Sequence, residues 1–199
     1  ILHGGTKGEL EGYYNCKGFV RKLTWEKLSK CRTIEDNLPM PKLEEMMELT
    51  KDKIFMNLEI KDKRYDLVFK NVVNLIERYD FFDQIAISSF HHGYYKKIVK
   101  YNQVNYNTLV FGFLYHGGKQ SKFDFTKSGN TLNIYWGDAT KEICKKAHAN
   151  GMAIQSWFYY DEEENAEIYK QLFENGVDAI CSNKPFLAKI FRDDYFDFD

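Results

Sequence analysis

Short apolar runs alternating with longer amphipathic segments predict an α/β fold with a parallel sheet, closed as a TIM (β/α)8 barrel. Three observations carry this expectation. Six runs rich in β-branched and aromatic residues recur along the chain, each apolar enough to be a strand buried on both faces. Their starts fall roughly 20 to 30 residues apart, the length of one βα unit. No G-x-G-x-x-G follows a strand, so an open dinucleotide-binding sheet lacks its main signature. Six units in the later part of the chain, with the front cut short, fit a barrel that takes ~250 residues when whole.

The elements follow in order. Ile1-Leu2-His3 reads as the end of a strand already under way. The six strand runs are Ile54 to Ile60, Ile85 to Phe90, Leu109 to Leu114, Leu132 to Trp136, Met152 to Phe158 and Val177 to Cys181. Between the first two, apolar residues at Tyr65, Val68, Phe69, Val72, Val73, Ile76 and Tyr79 make the stripe of a helix lying on a sheet. Shorter helical patterns cover Lys42 to Leu49, Tyr94 to Tyr101, Lys141 to Asn150 and Glu163 to Glu174. Gly151 and Gly176 stand just after the last two, where a helix C-terminal glycine belongs. The acidic, aromatic tail from Asp193 to Asp199 is expected as a frayed end. No linker or repeat beyond the βα period is visible, so residues 1–199 are taken as one domain.

Composition narrows the function classes. The 199 residues are 44% hydrophobic and 29% charged, enough for a sizeable core. Lysine plus arginine count 28 against 29 acids, a net charge of -1, without the basic excess of a general nucleic-acid binder. No apolar stretch approaches the ~18–20 residues that cross a bilayer. Cys16, Cys31, Cys144 and Cys181 show no CxxC spacing and no histidine cluster, so a sequence-local zinc site is not expected. Nothing in their spacing demands a disulfide, and they are expected as reduced thiols. The compartment stays open, with the cytoplasm favoured.

In a barrel, chemistry sits at the C-terminal ends of the strands. Those ends carry Glu59 with Lys61, Ser88-Ser89, Tyr115-His116, Tyr135-Trp136, Trp157 and Ser182-Asn183, with His3 on the strand before. Glu59 and Lys61 are two residues apart, so their side chains share one face, toward the barrel interior. A carboxylate and an ammonium there are costly unless paired or used. One reading is an internal salt bridge without chemistry; the other is a metal-ligand carboxylate beside a phosphate-binding lysine. His3 precedes Gly4-Gly5 and can serve as a proton donor near neutral pH, or be incidental at a chain end. His91-His92, His116 and His148 lack a spaced third ligand and read as surface groups. Trp157 is either a core residue or an aromatic wall over a substrate.

Five motifs in order then carry a resemblance. They are Pro41-Lys42-Leu43-Glu44-Glu45, Asn57-Leu58-Glu59-Ile60-Lys61, Ser88-Ser89-Phe90, the Trp157 strand and the run from Gly176 to Pro185, reading G-V-D-A-I-C-S-N-K-P. The series resembles the glycerophosphodiester phosphodiesterase family, with patterns P-x-L-E-E, N-[IL]-E-[IL]-K, S-S-F, a W-T-V-like strand and G-V-D-x-I-x-[TS]-[DN]-x-P. The match runs from His3 to about Pro185. It implies a (β/α)8 barrel that hydrolyses glycerophosphodiesters, small-molecule substrates of lipid metabolism, to an alcohol and glycerol 3-phosphate with Ca²⁺ or Mg²⁺. By the resemblance His3 is the second of two acid–base histidines and Glu59 the last metal carboxylate. Lys61 contacts the phosphate, and Trp157 is the aromatic residue near the substrate.

The departures from the pattern are specific. The family's H-R histidine and E-x-D carboxylates belong before residue 1, so the chain is expected to lack the first two barrel strands. Alone, it is expected to be inactive and, with open sheet edges, poorly soluble. The aspartate after the second histidine is Gly4, the tryptophan strand reads Trp157-Phe158-Tyr159, and the terminal T-D is Ser182-Asn183. Two alternatives remain: a catalytically inactive barrel acting as a binding protein, and a sphingomyelinase D-like lipase.

Overall fold

The computed structural model describes residues 8–196, which fall into two compact units. One comprises residues 8–54 with 77–81, the other residues 55–76 with 82–196. His3 lies outside the described residues, as do positions 197–199 of the tail.

The smaller unit carries the short helices α1 (Trp25–Leu28) and α2 (Leu43–Thr50). Isolated antiparallel bridges join Glu9 to Phe19, Tyr14 to Thr33 and Arg32 to Pro39. Its core is small: Leu10, Tyr14, Leu28, Cys31 and Met40 are buried together. So few apolar side chains cannot offset much chain entropy by themselves, and a covalent link assists. Cys16 and Cys31 form a disulfide, which corrects the expectation of four reduced thiols. Cys144 and Cys181 are the free cysteines. Helix α2 begins where expected, its first turn closed by the Lys42 amide donating to Glu45 Oε2 at 2.7 Å.

The larger unit is a six-stranded parallel sheet in the order β1-β2-β3-β4-β5-β6. The strands are β1 (Met56–Glu59), β2 (Ile85–Ser89), β3 (Val110–Leu114), β4 (Thr131–Tyr135), β5 (Ala153–Trp157) and β6 (Ala179–Cys181). All six coincide with the expected runs. Helix α3 (Tyr65–Tyr79) follows β1, α4 (Gly93–Asn102) follows β2, and α5 (Lys141–Ala149) and α6 (Ala166–Asn175) follow β4 and β5. Gly176 caps α6 at φ +87°, a left-handed conformation that a Cβ would strain. One correction concerns the tail: Asp193, Asp194 and Tyr195 belong to α7 (Pro185–Tyr195), and Asp193 pairs with Lys189 and Arg192.

Alternation along each strand sorts side chains to two faces. Ile85, Ile87, Phe111, Phe113, Leu132, Ile134 and Ile154 are buried on one face. Here α4 packs on β3 and α5 on β5. The other face carries Asn57 and Glu59 of β1, Ser88 of β2, Gly112 of β3, Thr131, Asn133 and Tyr135 of β4, and Gln155 and Trp157 of β5, matched by the register. That face is concave. The Asn57 amide donates to Gln155 Oε1 at 3.1 Å, although a flat sheet would hold β1 and β5 about 19 Å apart at ~4.8 Å per strand. Only a sheet curled as in a TIM-like barrel brings them together.

Gln155 Oε1 also accepts from Asn133 Nδ2 at 2.9 Å, and Asn133 Oδ1 accepts from the Thr131 hydroxyl at 2.6 Å. This polar belt leaves no room at Gly112. A Cβ there would lie 2.6 Å from Asn133 Nδ2 and 2.9 Å from Ser88 Cβ.

Candidate active site

The C-terminal mouth of the curled sheet is built from strand ends and the loops that follow them. Glu59 ends β1 and Lys61 lies two residues beyond it; the two face one another as the spacing predicts, with Lys61 Nζ 3.7 Å from Glu59 Oε2. Their side chains are 31% and 50% exposed, respectively, so neither is a charge buried in a low-dielectric core and the expected desolvation cost does not arise. Across the sheet, Glu59 is within electrostatic reach of Cys181 at the end of β6. Desolvation, then Glu59 and Glu164, push the Cys181 thiol above its ordinary range.

Trp157 is neither plain core nor alone. Its ring meets Tyr159 at 4.8 Å, Tyr135 at 5.9 Å and Phe90 at 6.1 Å, each edge to face. Phe90 in turn stacks on His116 at 4.2 Å. Aromatic rings from the ends of β2, β4 and β5 thus form a continuous wall. Trp157 Nε1 and Ser88 Oγ are buried and have no hydrogen-bond partner among the described residues; both belong to the concave face.

Two glutamates that sequence reasoning passed over fix this wall. Glu162 accepts from Tyr135 Oη at 2.5 Å, Trp136 Nε1 at 3.2 Å and the Tyr159 amide at 2.9 Å. Desolvation and the bond to Glu162 push Tyr135 up to about 12. Its ring lies against Gly117 and Gly137, where Cβ atoms would come within 3.0 and 2.8 Å of it. Glu164, 2% exposed, accepts from Ser182 Oγ at 2.5 Å, Tyr169 Oη at 2.6 Å and the Asn183 amide at 2.8 Å. Burial alone would raise its pKa. The bonds from Ser182, Tyr169 and Asn183 outweigh burial and hold the carboxyl below its ordinary value. Through Glu164 the segment after β5 grips the end of β6. Both glutamates stand in the run Asp161-Glu162-Glu163-Glu164, which read in isolation is a solvated loop.

Two of the other histidines make defined structural contacts. His92 is partly buried, its Nε2 2.9 Å from the Leu114 carbonyl, a correction to its reading as a surface group. His148 meets Asp178 Oδ2 at 2.8 Å, and the same oxygen accepts the Ile154 amide at 2.7 Å. Asp178 therefore ties α5 to β5.

The family model for the glycerophosphoryl diester phosphodiesterases matches residues 1–187. The chain belongs to that family. Membership places it among the glycerophosphodiester phosphodiesterases, as its motifs implied. A relative named glycerophosphodiester phosphodiesterase from Bacillus altitudinis is 25% identical over 193 residues, covering 90% of this chain and 76% of its own length. Solved structures share the fold. One from Galdieria sulphuraria, assigned as a glycerophosphodiester phosphodiesterase, superposes with a TM-score of 0.82 at 24% identity, over 96% of this chain and 78% of that one. A phosphodiesterase from Oleispira antarctica, solved with the product sn-glycerol-3-phosphate, gives 0.74 at 15% identity, over 97% and 78%.

Proposed function

We propose that the protein hydrolyses glycerophosphodiesters to an alcohol and glycerol 3-phosphate at the mouth of the curled sheet. The observation that carries this reading is the coincidence of a family match over residues 1–187 with the Glu59–Lys61 pair standing at the strand-end mouth that also holds the Trp157 wall. In this reading Lys61 supplies a positive charge to the phosphoryl oxygens, and the Trp157 wall covers the apolar side of the glycerol. His3, outside the described residues, donates the proton to the departing alkoxide. The phosphorus–oxygen bond to the alcohol breaks, and water supplies the new oxygen of glycerol 3-phosphate. The six strands would be the later six of an eight-stranded barrel.

A divalent cation, Ca²⁺ or Mg²⁺, belongs to the proposal, with Glu59 as one carboxylate ligand. When bound, such an ion neutralises phosphoryl charge. Among the described residues no group of three or more His, Cys, Asp or Glu could hold a metal. Glu59 alone falls short of the six or so oxygens a hard cation takes.

The test is release of glycerol 3-phosphate from glycerophosphocholine by the natural full-length protein, coupled to glycerol-3-phosphate dehydrogenase. Activity is expected to depend on added divalent cation, to vanish in Glu59→Gln and to fall in Lys61→Met. Full activity in Glu59→Gln would overturn the assignment of Glu59. Turnover of intact sphingomyelin or lysophosphatidylcholine, with none of glycerophosphocholine, would replace the reading by the lipase one.

A further inference from the structure

We propose that the cleft between α4 and the segment following β3 is a binding site for an aromatic anion, a role that goes beyond the hydrolysis proposed above. The cleft encloses about 800 Å³, within the range of small-molecule sites. Its lining does not include Glu59, Lys61 or Trp157, and it meets the Trp157 wall only through Phe90 and His116. What it does include is a set of aromatic rings and a set of ammonium groups.

The rings come from three places in the chain. Tyr95 of α4 packs on Phe113 of β3 at 5.0 Å, and His92 meets Phe113 and Tyr115 edge to face at 5.2 and 4.8 Å. Phe113 and Tyr115 are buried, giving a rigid floor. Phe90 and His116, stacked at 4.2 Å, close one side, and His116 is itself exposed. A planar ring entering here finds faces and edges to pack on, which favours a flat ligand over a flexible one.

The charge is as uneven as the floor is apolar. Lys96 from α4 and Lys119, Lys122 and Lys127 from the later segment all line the cleft, against a single carboxylate, Asp124. That carboxylate is already committed. It accepts from the Thr126 amide at 2.9 Å and hydroxyl at 2.6 Å, and Lys127 Nζ lies 3.2 Å from it. Lys127 also sits 5.7 Å over the Tyr95 ring. Lys96, Lys119 and Lys122 make no ion pair among the described residues, and all three are exposed. In a chain whose net charge is only -1, three unbalanced ammoniums around one aromatic floor concentrate positive potential at that spot. A concave apolar surface focuses the potential further. An acid group on a planar body would bring both halves of the ligand to complementary surfaces at once.

The test uses 1-anilinonaphthalene-8-sulfonate, an aromatic sulfonate whose fluorescence rises on binding, titrated into the folded protein. One saturable site is expected. The triple variant Lys96→Gln/Lys119→Gln/Lys122→Gln should bind about tenfold more weakly, the loss expected from three partly screened charge contacts. The triple variant Lys141→Gln/Lys145→Gln/Lys170→Gln removes the same charge from α5 and α6 and should bind as the parent does. Raising the salt should weaken the parent and leave the cleft variant nearly unchanged. Should the cleft triple variant not fold, as judged by its melting temperature, Lys119→Gln and Lys122→Gln singly are each expected to weaken binding about twofold. Equal affinity in the cleft and control variants, or binding that never saturates, would overturn the proposal. Because the readout is fluorescence, a failure here is separate from a failure to hydrolyse glycerophosphocholine.

Discussion

Replacing Glu164 by glutamine should loosen the mouth of the sheet by about 3 kcal/mol at neutral pH. The side chain is 2% exposed and receives three hydrogen bonds, from Ser182 Oγ, Tyr169 Oη and the Asn183 amide. Bonds to an ionised acceptor contribute about 1.5–3 kcal/mol each and neutral ones about 1. Glutamine keeps the shape but turns one acceptor oxygen into an NH2 that cannot accept, so at least the Asn183 bond to Oε1 is lost and the two to Oε2 fall to neutral strength, roughly 1 kcal/mol per bond. With a urea dependence of about 2 kcal/mol per molar, the midpoint should fall by about 1.5 M. Two compact units need not unfold together, so the measurement belongs in a Trp25→Phe background. The remaining tryptophans, Trp136 and Trp157, then both report the larger unit.

The pH dependence sharpens the test. Glu164 is held below the ordinary 4.5 in the folded state, so its ionised form contributes fully above about 4.5 and loses that contribution as the pH falls through the lower, folded value. The gap between the parent and Glu164→Gln should be constant near neutrality and shrink on acidification below 4.5. A midpoint shift under about 0.3 M at neutral pH, or a gap that does not narrow in acid, would refute the account of Glu164 as a charged clamp.

Two further outcomes are expected. Gly112→Ala places a methyl 2.6 Å from Asn133 Nδ2 and 2.9 Å from Ser88 Cβ; overpacking of this kind costs about 1–3 kcal/mol, to be read as a lowered melting temperature, and an unchanged one would mean the polar belt yields freely. The unreduced, denatured chain should titrate two thiols with Ellman's reagent, and four after reduction. Cys16→Ser should destabilise the smaller unit by about 3 kcal/mol, the chain-entropy value for a loop of about 15 residues. Four thiols without reduction would restore the expectation of reduced cysteines and the leaning to the cytoplasm, since disulfides persist in oxidising compartments.

The strands were legible because a parallel sheet covered by helices needs apolar residues on its covered face, and such runs stand out in any reading frame. Helix α3 was legible to the residue, its stripe from Tyr65 to Tyr79 being unbroken. The pairing of Glu59 with Lys61 followed from the two-residue period alone. What could not be read is what the fold assembles from distant pieces. Glu162 and Glu164 sit in an acidic run whose only clue was the nearby tyrosines and tryptophan needing acceptors. Lys96 and Lys122 are 26 positions apart, and only the packing of α4 beside the segment after β3 puts them around one cleft. Cysteine spacing names no partner, so the Cys16–Cys31 bond was invisible until the small core around it was seen.

The Glu59–Lys61 pair offers a way to separate structure from chemistry, because the two readings of it predict different pairs of numbers. At 31% and 50% exposure and 3.7 Å apart, the pair is screened by solvent and contributes at most about 1 kcal/mol to stability. That is too little to explain a charged pair at a strand end by stability alone. Glu59→Gln should therefore leave the urea midpoint within about 0.5 M of the parent while removing glycerophosphodiester hydrolysis by the natural full-length protein. If the pair were instead a structural salt bridge, activity and stability would fall together, and restoring stability with urea-free, low-temperature assay conditions would restore turnover. A charge reversal of both, Glu59→Lys with Lys61→Glu, decides the point. It rebuilds an ion pair on the same face but places a cation where the proposed reaction needs a carboxylate. A stable, active double variant would assign the pair to the architecture, and a stable, inactive one to the site.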